Sequence, residues 1–205
     1  MQCTFTTIHI RPSTRSVPLA SASLAAALRA DYGDDLSVSV VDLYLEQPGA
    51  EQLAAVLANA PDLLGFSIYL WNRRESLALA EMVRSSRPET VIVVGGPEVS
   101  ADPGTFAETG CIDYIITGEG ERAICSLVGT IIEPQAQHPE RVIHAELPDL
   151  RGLPSPYLTG ILDPGQYEGI IWELSRGCPF NCAFCYEARG ESRIRRYDES
   201  RIRAE

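Results

Sequence analysis

The sequence contains no lysine, and all 17 of its basic residues are arginine, against 28 aspartate and glutamate residues. The formal net charge of −11 argues against general nucleic-acid binding, which needs a basic surface to displace counterions. No run of about 18 apolar residues occurs, so no transmembrane helix is predicted. The first residues also lack the basic and apolar segments of a secretory signal. We therefore expect a cytoplasmic protein that contacts neither nucleic acid nor membrane.

Disulfide bonds are not expected, because the six cysteines come without an export signal. Cys3, Cys111 and Cys125 lie singly in apolar segments, which predicts buried and reduced thiols. The other three form a cluster near the end of the chain.

With 45% hydrophobic and 22% charged residues, the composition is typical of a globular protein that buries a core.

Short β-rich runs alternate with helical patterns through residue 133, which predicts an α/β fold. The continuous apolar run TVIVV is typical of a strand that is covered on both faces. Such alternation predicts a five-stranded, doubly wound parallel sheet of the Rossmann-like or flavodoxin-like type. The predicted strands are 3–10, 36–45, 63–70, 90–96 and 112–117, and the predicted helices are 19–33, 49–60, 74–86, 104–110 and 121–132.

The chain changes character after this first domain, residues 1–133. Residues 134–168 are rich in proline and without sustained periodicity, which predicts a surface linker. Residues 168–175 form a last predicted strand that leads into the cysteine cluster, and Asp198 is a plausible helix N-cap. Residues 169–205 are therefore predicted to form the incomplete start of a second domain.

Three segments that follow predicted strands are candidates for a binding site: residues 67–72, 95–98 and 118–121. In open parallel sheets, ligands bind outside the carboxyl ends of the strands. Glycine in the last two segments would let a flat organic group lie against bare backbone, or would only form tight βα turns. Nucleotide-binding glycine loops are absent, and the acidic residues of a phosphoacceptor domain do not follow the strands.

The cysteine cluster lies in RGCPFNCAFC, with Cys178, Cys182 and Cys185 at the spacing C-x3-C-x2-C. Three thiolates this close together predict a metal ion or a cluster. A structural zinc site would need a fourth ligand at short spacing, whereas His138 and His144 lie far upstream. His9, in the first predicted strand, is expected to be a packed or edge histidine.

Three motifs in the first domain, the cysteine segment and a short stretch of the linker carry a resemblance to a known family. Residues 1–133 resemble the cobalamin-binding domain that precedes the barrel in B12-dependent radical SAM proteins. The motifs are DLLGFSIYLWN, VIVVGGPEVS and DYIITGEGE, and LPSPYL is similar to the usual join. RGCPFNCAFC, with Phe184 directly before its last cysteine, resembles the cluster loop of the radical SAM superfamily. The resemblance implies a chain that stops early in the radical SAM βα barrel and is inactive alone.

The resemblance implies three cofactors: cobalamin, a [4Fe–4S] cluster and S-adenosyl-L-methionine. In the superfamily three cysteines hold three irons, and S-adenosylmethionine chelates the fourth iron, which explains the missing protein ligand. The parent enzyme would carry out radical methyl transfer or related carbon chemistry on an unidentified small molecule or metabolite. Its reducing electrons would come from a donor such as flavodoxin or ferredoxin.

The resemblance also assigns roles to residues. Ser67 would hydrogen-bond the nucleotide tail or corrin side chains, and Phe184 would contact the cofactors at the cluster. Trp71 is equally well explained as a core aromatic. The remaining roles are the corrin face for Tyr69, Trp71 and Asn72, the dimethylbenzimidazole tail for Gly95, Gly96 and Pro97, and the far corrin rim for Gly118, Glu119 and Gly120.

One departure from the family bears on cobalt ligation. Some cobalamin domains supply a lower ligand from a D-x-H-x-x-G loop after the first strand, but residues 11–16 contain no histidine here. This predicts base-off binding without a histidine ligand. The alternatives are a stand-alone cobalamin carrier or sensor with a structural metal or vestigial cysteine loop, and a flavodoxin-like domain that binds flavin or nucleotide.

Overall fold

A six-stranded parallel sheet forms the centre of the computed structural model, which describes residues 1–133, 135, 137, 139–180, 182, 183, 185 and 193–205. The strand order β2-β1-β3-β4-β5-β6 is that of a doubly wound sheet, which confirms the predicted α/β class. The strands are β1 (Gln2–His9), β2 (Ser37–Tyr44), β3 (Leu63–Ser67), β4 (Val91–Gly95), β5 (Tyr114–Thr117) and β6 (Val142–His144).

Helices cover both faces of this sheet. They are α1 (Leu19–Tyr32), α2 (Gly49–Leu57), α3 (Arg73–Ser86), α4 (Pro97–Ala101), α5 (Pro103–Ala107) and α6 (Gly120–Ile132). Helices α1 and α6 pack together on one face, and α2 and α3 pack on the other. The short helix predicted at 104–110 corresponds to α5, which begins one residue and ends three residues earlier, and the preceding helix α4 was not predicted. Each of the two helices begins at a proline. Because proline fits the first turn of a helix, Pro103 starts a new helix, and Asp102 caps it through the backbone N–H of Thr105.

The sheet buries apolar side chains on both faces, and alternate residues of each strand enter different clusters. Leu64 and Ile92 belong to the cluster under α2 and α3, whereas Leu63 and Val93 belong to the cluster under α1 and α6. This alternation follows from the two-residue period of a strand, and burial on both faces explains why these strands read as unbroken apolar runs.

The sixth strand corrects the predicted count of five and lies within the predicted linker 134–168. Val142 and Ile143 pair in parallel with Ile115 and Ile116 of β5. The open edge of β5 offers unpaired backbone groups, and an adjacent pair of β-branched residues can satisfy them. Arg141 fixes the entry of β6 by donating hydrogen bonds to the carbonyl groups of residues 107, 109 and 112.

The strand predicted at 168–175 is also wrong for most of its length. Only Ser175 and Arg176 (β7) pair, in antiparallel fashion, with Arg195 and Arg196 (β8). Residues 168–174 are not a strand in the structure, since a strand needs a neighbour for its backbone hydrogen bonds. Their apolar side chains, among them Trp172, are about half exposed. The last helix, α7 (Glu199–Ala204), begins after Asp198 as predicted, although the Asp198 side chain makes no capping hydrogen bond.

Two further expectations concern the cysteines and membrane-spanning helices. Cys3, Cys111 and Cys125 are buried and no disulfide joins any of the six cysteines, as predicted. Within the described part of the chain, no helix combines the length and the apolar character that crossing a membrane requires.

Candidate functional site

A cavity of roughly 1090 Å³ opens at the carboxyl edge of the sheet. Its wall includes the ends of β1, β3, β4 and β5, the start of α6, and residues from the segment 171–177. This is the edge at which parallel sheets bind ligands, and the volume is slightly larger than is usual for small-molecule pockets. The site is therefore shaped for a large ligand.

Nine of the eleven predicted cofactor-binding residues lie in the wall of this cavity. The nine are Ser67, Tyr69, Trp71, Gly95, Gly96, Pro97, Gly118, Glu119 and Gly120. Asn72 lies behind the wall, and Phe184 is outside the described residues. The three segments singled out from the sequence thus converge on one site.

Asn72 acts beneath the cavity rather than in its wall. It is fully buried, and its amide nitrogen donates to the carbonyl oxygens of Ile8 (3.1 Å) and Ser67 (3.2 Å). Its amide oxygen accepts a hydrogen bond from the backbone N–H of Tyr69 at 2.8 Å. One side chain thereby ties the ends of β1 and β3 to the loop that follows β3, so Asn72 is a positioning residue.

Tyr69 and Trp71 form an aromatic platform on the rim of the cavity. Their rings stack with centroids 4.6 Å apart and an interplanar angle of 6°. Trp71 is 46% exposed, so the alternative that it is a core aromatic is wrong. Burial raises the pKa of Tyr69 above its ordinary value. The platform offers a flat apolar surface to a ligand in the cavity.

Gly96 is required by the packing of the loops at this edge. Its backbone has φ +111° and ψ −180°, a region that is essentially restricted to glycine. A Cβ atom on Gly96 would lie 2.5 Å from the carbonyl oxygen of Ile68. A Cβ atom on Gly95 would meet only the carbonyl oxygen of Ile116, at 3.4 Å. The close approach of the chain after β3 therefore explains Gly96, while Gly95 leaves bare backbone in the cavity wall.

Buried hydroxyl groups link the cavity wall, to which Thr7 and Ser67 belong, to Ser21 of α1. The Ser21 hydroxyl lies 2.9 Å from that of Thr7 and 3.3 Å from that of Ser67. Sequence reasoning missed Thr7 and Ser21. A signal was present, since Ser21 shares the helical face of Ala25 and Leu28, and all three are buried. A serine on the apolar face of α1 needs a polar partner, and here the hydroxyl groups of Thr7 and Ser67 are its partners.

His9 lies at the carboxyl end of β1 and contributes to the cavity wall. Its Nε2 atom is 3.0 Å from an Asp42 carboxylate oxygen, and its ring packs against Tyr44 with centroids 5.9 Å apart. The expectation of a packed histidine is confirmed. The loop after β1 contributes Arg15 and Ser16 to the wall.

Arginine and glutamate side chains form a cluster on the side of the cavity nearest the cysteines. Arg176 contacts Glu119 (3.0 Å), Glu121 (2.6 Å) and Glu173 (2.9 Å). Arg195 also pairs with Glu119. Burial by itself would lower the pKa of Arg176, but the neighbouring carboxylates, above all Glu121, raise it and keep the guanidinium charged. The sequence carried no local signal for this cluster, because its members come from three separate segments.

The three clustered cysteines follow directly on this region. Cys178 and Cys185 are half-buried and Cys182 is exposed. The backbone N–H of Cys185 donates to the carbonyl of Cys182 at 3.1 Å, so the C-x2-C pair lies in a turn. Among the described residues, no three histidine, cysteine, aspartate or glutamate side chains are arranged to hold a metal ion. The metal site stays a prediction from the motif.

Comparison with known proteins identifies relatives of this chain. The model of the B12 binding domain family matches residues 8–128. The chain is 33% identical over 184 residues to 2-(S-pantetheinyl)-carbapenam-3-carboxylate methyltransferase of Streptantibioticus cattleyicolor, covering 77% of this chain and 26% of the relative. It is 32% identical over 169 residues to the cobalamin-dependent radical SAM methyltransferase TokK of Streptomyces tokunonensis, covering 71% and 25%.

A solved structure shares the fold. The radical S-adenosylmethionine methyltransferase TsrM from Kitasatospora setae matches 99% of this chain and 44% of its own, with a TM-score of 0.69 and 21% identity. The chain thus spans about a quarter of the two curated relatives and less than half of the solved one. Because the family model covers more than half of the chain, this protein belongs to the B12 binding domain family.

Proposed function

We propose that the chain binds cobalamin in the cavity at the carboxyl edge of its sheet and forms the N-terminal part of a cobalamin-dependent radical SAM methyltransferase. The observation that carries the proposal is the cavity itself, whose wall brings together the ends of four strands within the matched residues 8–128. The names of two relatives, a carbapenam-carboxylate methyltransferase and TokK, support the reaction class.

The residues of the cavity fit a large, flat cofactor with polar side groups. The Tyr69–Trp71 platform offers an aromatic face to a corrin ring. The bare backbone at Gly95 and the turn at Gly118 offer close approach, and Ser67 offers a hydroxyl to an amide or phosphate group. We place the nucleotide tail against Gly95, Gly96 and Pro97, and the far corrin rim against Gly118, Glu119 and Gly120.

Binding without a histidine ligand to cobalt is part of the proposal. Residues 11–16 contain no histidine. The two imidazoles in the described cavity wall, His9 and His144, lie at the ends of β1 and β6 and not in the loop after β1. We therefore expect base-off cobalamin without a histidine of this chain as a cobalt ligand.

We further propose that Cys178, Cys182 and Cys185 hold a [4Fe–4S] cluster. Three thiolates without a fourth ligand fit a cluster that leaves one iron open to S-adenosylmethionine. Cobalamin would supply a methyl group and the cluster would supply radical chemistry, while the chain's own residues bind, orient and shield these groups. The substrate would be a metabolite, a flavodoxin or ferredoxin would donate electrons, and a cytoplasmic location stays a prediction.

Titration of the purified chain with hydroxocobalamin, followed in the visible spectrum and by gel filtration, tests the proposal. We expect a one-to-one complex with a base-off spectrum. Trp71→Ala should weaken binding about 3- to 10-fold, because it removes half of the aromatic platform. Trp172→Ala is the matched control: Trp172 is 47% exposed, as Trp71 is 46% exposed, but it is not part of the cavity wall.

The alternatives give different results in the same preparation. A chain with an intact circular dichroism spectrum that binds flavin but no cobalamin would overturn the proposal. Anaerobic reconstitution with iron and sulfide separates the enzyme from a cobalamin carrier. If the chain belongs to an enzyme with a [4Fe–4S] cluster, it should bind about four irons. This iron should be lost when Cys178, Cys182 and Cys185 are all replaced by serine. Equal iron uptake by the unchanged chain and the triple serine variant would favour the carrier.

A further inference from the structure

We propose that Glu119, Glu121, Arg176 and Arg195 form a latch that fixes the segment carrying the first clustered cysteine to the rim of the cavity. Glu119 and Glu121 belong to the loop between β5 and α6 and to the first turn of α6. Arg176 and Arg195 belong to the two short strands β7 and β8. The latch thus joins two parts of the chain that lie more than 50 residues apart, as the Glu121–Arg176 separation of 55 shows.

Arg176 is the centre of the latch. Its Nη1 atom donates to Glu119 at 3.0 Å and its Nη2 atom donates to Glu121 at 2.6 Å. Its Nε atom donates to Glu173 at 2.9 Å. The planar guanidinium can satisfy three carboxylates only in one orientation, because its donors form a fixed fork. The backbone at Arg176 is therefore held at a defined place relative to α6.

Glu119 joins both strands of the β7–β8 pair to the rim. One of its oxygens accepts from Arg176 and the other accepts from Arg195. Arg195 also donates to the carbonyl oxygen of Pro148 at 2.9 Å. A single carboxylate in the cavity wall thus holds two strands, so neither strand can shift without breaking a charged hydrogen bond.

The burial of the latch indicates that it orients β7 and β8 and adds little to the stability of the fold. The side chains of Arg176 and Glu121 are only 14% and 7% exposed. Buried ion pairs lose much of their attraction to desolvation and contribute little net stability, but they demand their geometry. Tyr197 closes the outer side, because its hydroxyl donates to Glu173 at 2.9 Å and its ring faces the Arg176 guanidinium.

The latch places the cysteine segment at the cavity. Gly177, directly after Arg176, lies in the cavity wall, and Cys178 follows it. The position of Cys178 is therefore set by two glutamates of the first domain. The chemical meaning of this step rests on the proposed function: the latch would hold the cluster loop at a fixed distance from cobalamin, which makes its four members positioning residues.

The distance between two spin labels tests the latch without any cofactor. One nitroxide is attached to Cys178 and the other to Glu51→Cys, on the exposed side of α2, in a chain with Cys182→Ser and Cys185→Ser. Cys3, Cys111 and Cys125 are buried and should stay unlabelled. We expect a narrow distance distribution by double electron–electron resonance, broadened about 2-fold or more in Glu119→Gln/Glu121→Gln.

A matched control and a second variant complete the design. Asp149→Asn removes an exposed arginine–carboxylate pair, with Arg151, and should leave the distribution narrow. Arg195→Met removes one arm of the latch and should broaden the distribution less than the double variant, which provides a test if the double variant fails to fold.

The outcomes separate the latch from the proposed function. An unchanged distribution in folded latch variants overturns the latch. A lower melting temperature of the sheet without broadening also overturns it, because that pattern is a structural role only. A narrow parent distribution that broadens in the variants supports the latch even if hydroxocobalamin does not bind, a result that would overturn only the proposed function.

Discussion

The first 133 residues and the described residues after 140 are held together by different forces. In the first region, two large clusters of buried apolar side chains lie on either face of the sheet. In the second region, the cluster around the cysteine segment has only three buried members, Leu150, Leu153 and Tyr197. Leu162 is buried against Val17 and Ala22 of the first region, and arginine side chains add directed hydrogen bonds, such as that from Arg201 to the carbonyl oxygen of Leu153 at 2.7 Å.

This difference separates stability from orientation. Apolar burial is non-directional and adds up over area, so it stabilises the sheet without specifying a fine geometry at its edge. Arginine pairs specify direction, because the guanidinium fork matches carboxylate and carbonyl oxygens in few arrangements. The second region is therefore oriented on the sheet by directed contacts, and variants in the two regions should fail in different ways.

The largest effect is expected from truncation of the core of the first region. Ile115 is fully buried in β5, and Ile115→Ala should lower the free energy of unfolding of the sheet by about 2–5 kcal/mol. Leu150→Ala removes a side chain that is 2% exposed but belongs to the small second cluster. It should leave the thermal transition of the sheet in place and speed tryptic cleavage after Arg151. A comparable loss in the sheet transition for Leu150→Ala would mean that the two regions unfold as one unit.

A smaller effect is expected at the glycine between β4 and α4. Gly33 and Gly96 both have positive φ, but a Cβ atom on Gly33 would meet nothing within 4 Å, whereas one on Gly96 would meet the Ile68 backbone. Gly96→Ala should therefore cost about 1–3 kcal/mol more than Gly33→Ala, since it adds a clash to the backbone strain. Denaturant unfolding of both variants measures the difference, and equal losses would contradict the close approach of the two loops.

The smallest effect concerns thiol reactivity and needs no variant. Burial raises the pKa of Cys3 to about 11 and that of Cys125 to about 12, which lowers the thiolate fraction at pH 8. We expect them to react with a disulfide reagent about 100-fold more slowly than Cys182, which is exposed. A time course at pH 8 should show three fast and three slow thiols in the folded protein. After denaturation, all six thiols should react fast. Four or more fast thiols in the folded protein would contradict the buried state of the first region.

Much of the first region could be predicted from the sequence, because its signals are local. The unbroken apolar run before Gly95 marked a strand covered on both faces, and β4 occupies it. The segments after β3, β4 and β5 were predicted to share an edge, and they line one cavity. The strand β6 was missed because Val142–His144 is too short to show a period and becomes a strand only beside the open edge of β5.

The site was predicted less completely than the fold. Trp71 was ambiguous in the sequence, since an aromatic near a strand end suits a core as well as a rim, and only its exposure decides. Asn72 was assigned to the ligand, whereas the structure buries it under the loop, where its side chain makes three hydrogen bonds to the backbone. Glu119 was assigned to the rim, and the structure adds that its carboxylate is occupied by Arg176 and Arg195.

The sequence by itself determined the alternating strands and helices, the glycine turns at the sheet edge and the three-thiol motif. Hydrophobic period, steric freedom and ligand spacing are properties of residues that are close together in the chain. Only the tertiary structure decided the sixth strand, the burial of Asn72 and the pairing of Arg176 with Glu119. These features depend on groups from distant segments, which meet only after the sheet has formed and has brought the ends of its strands to one edge.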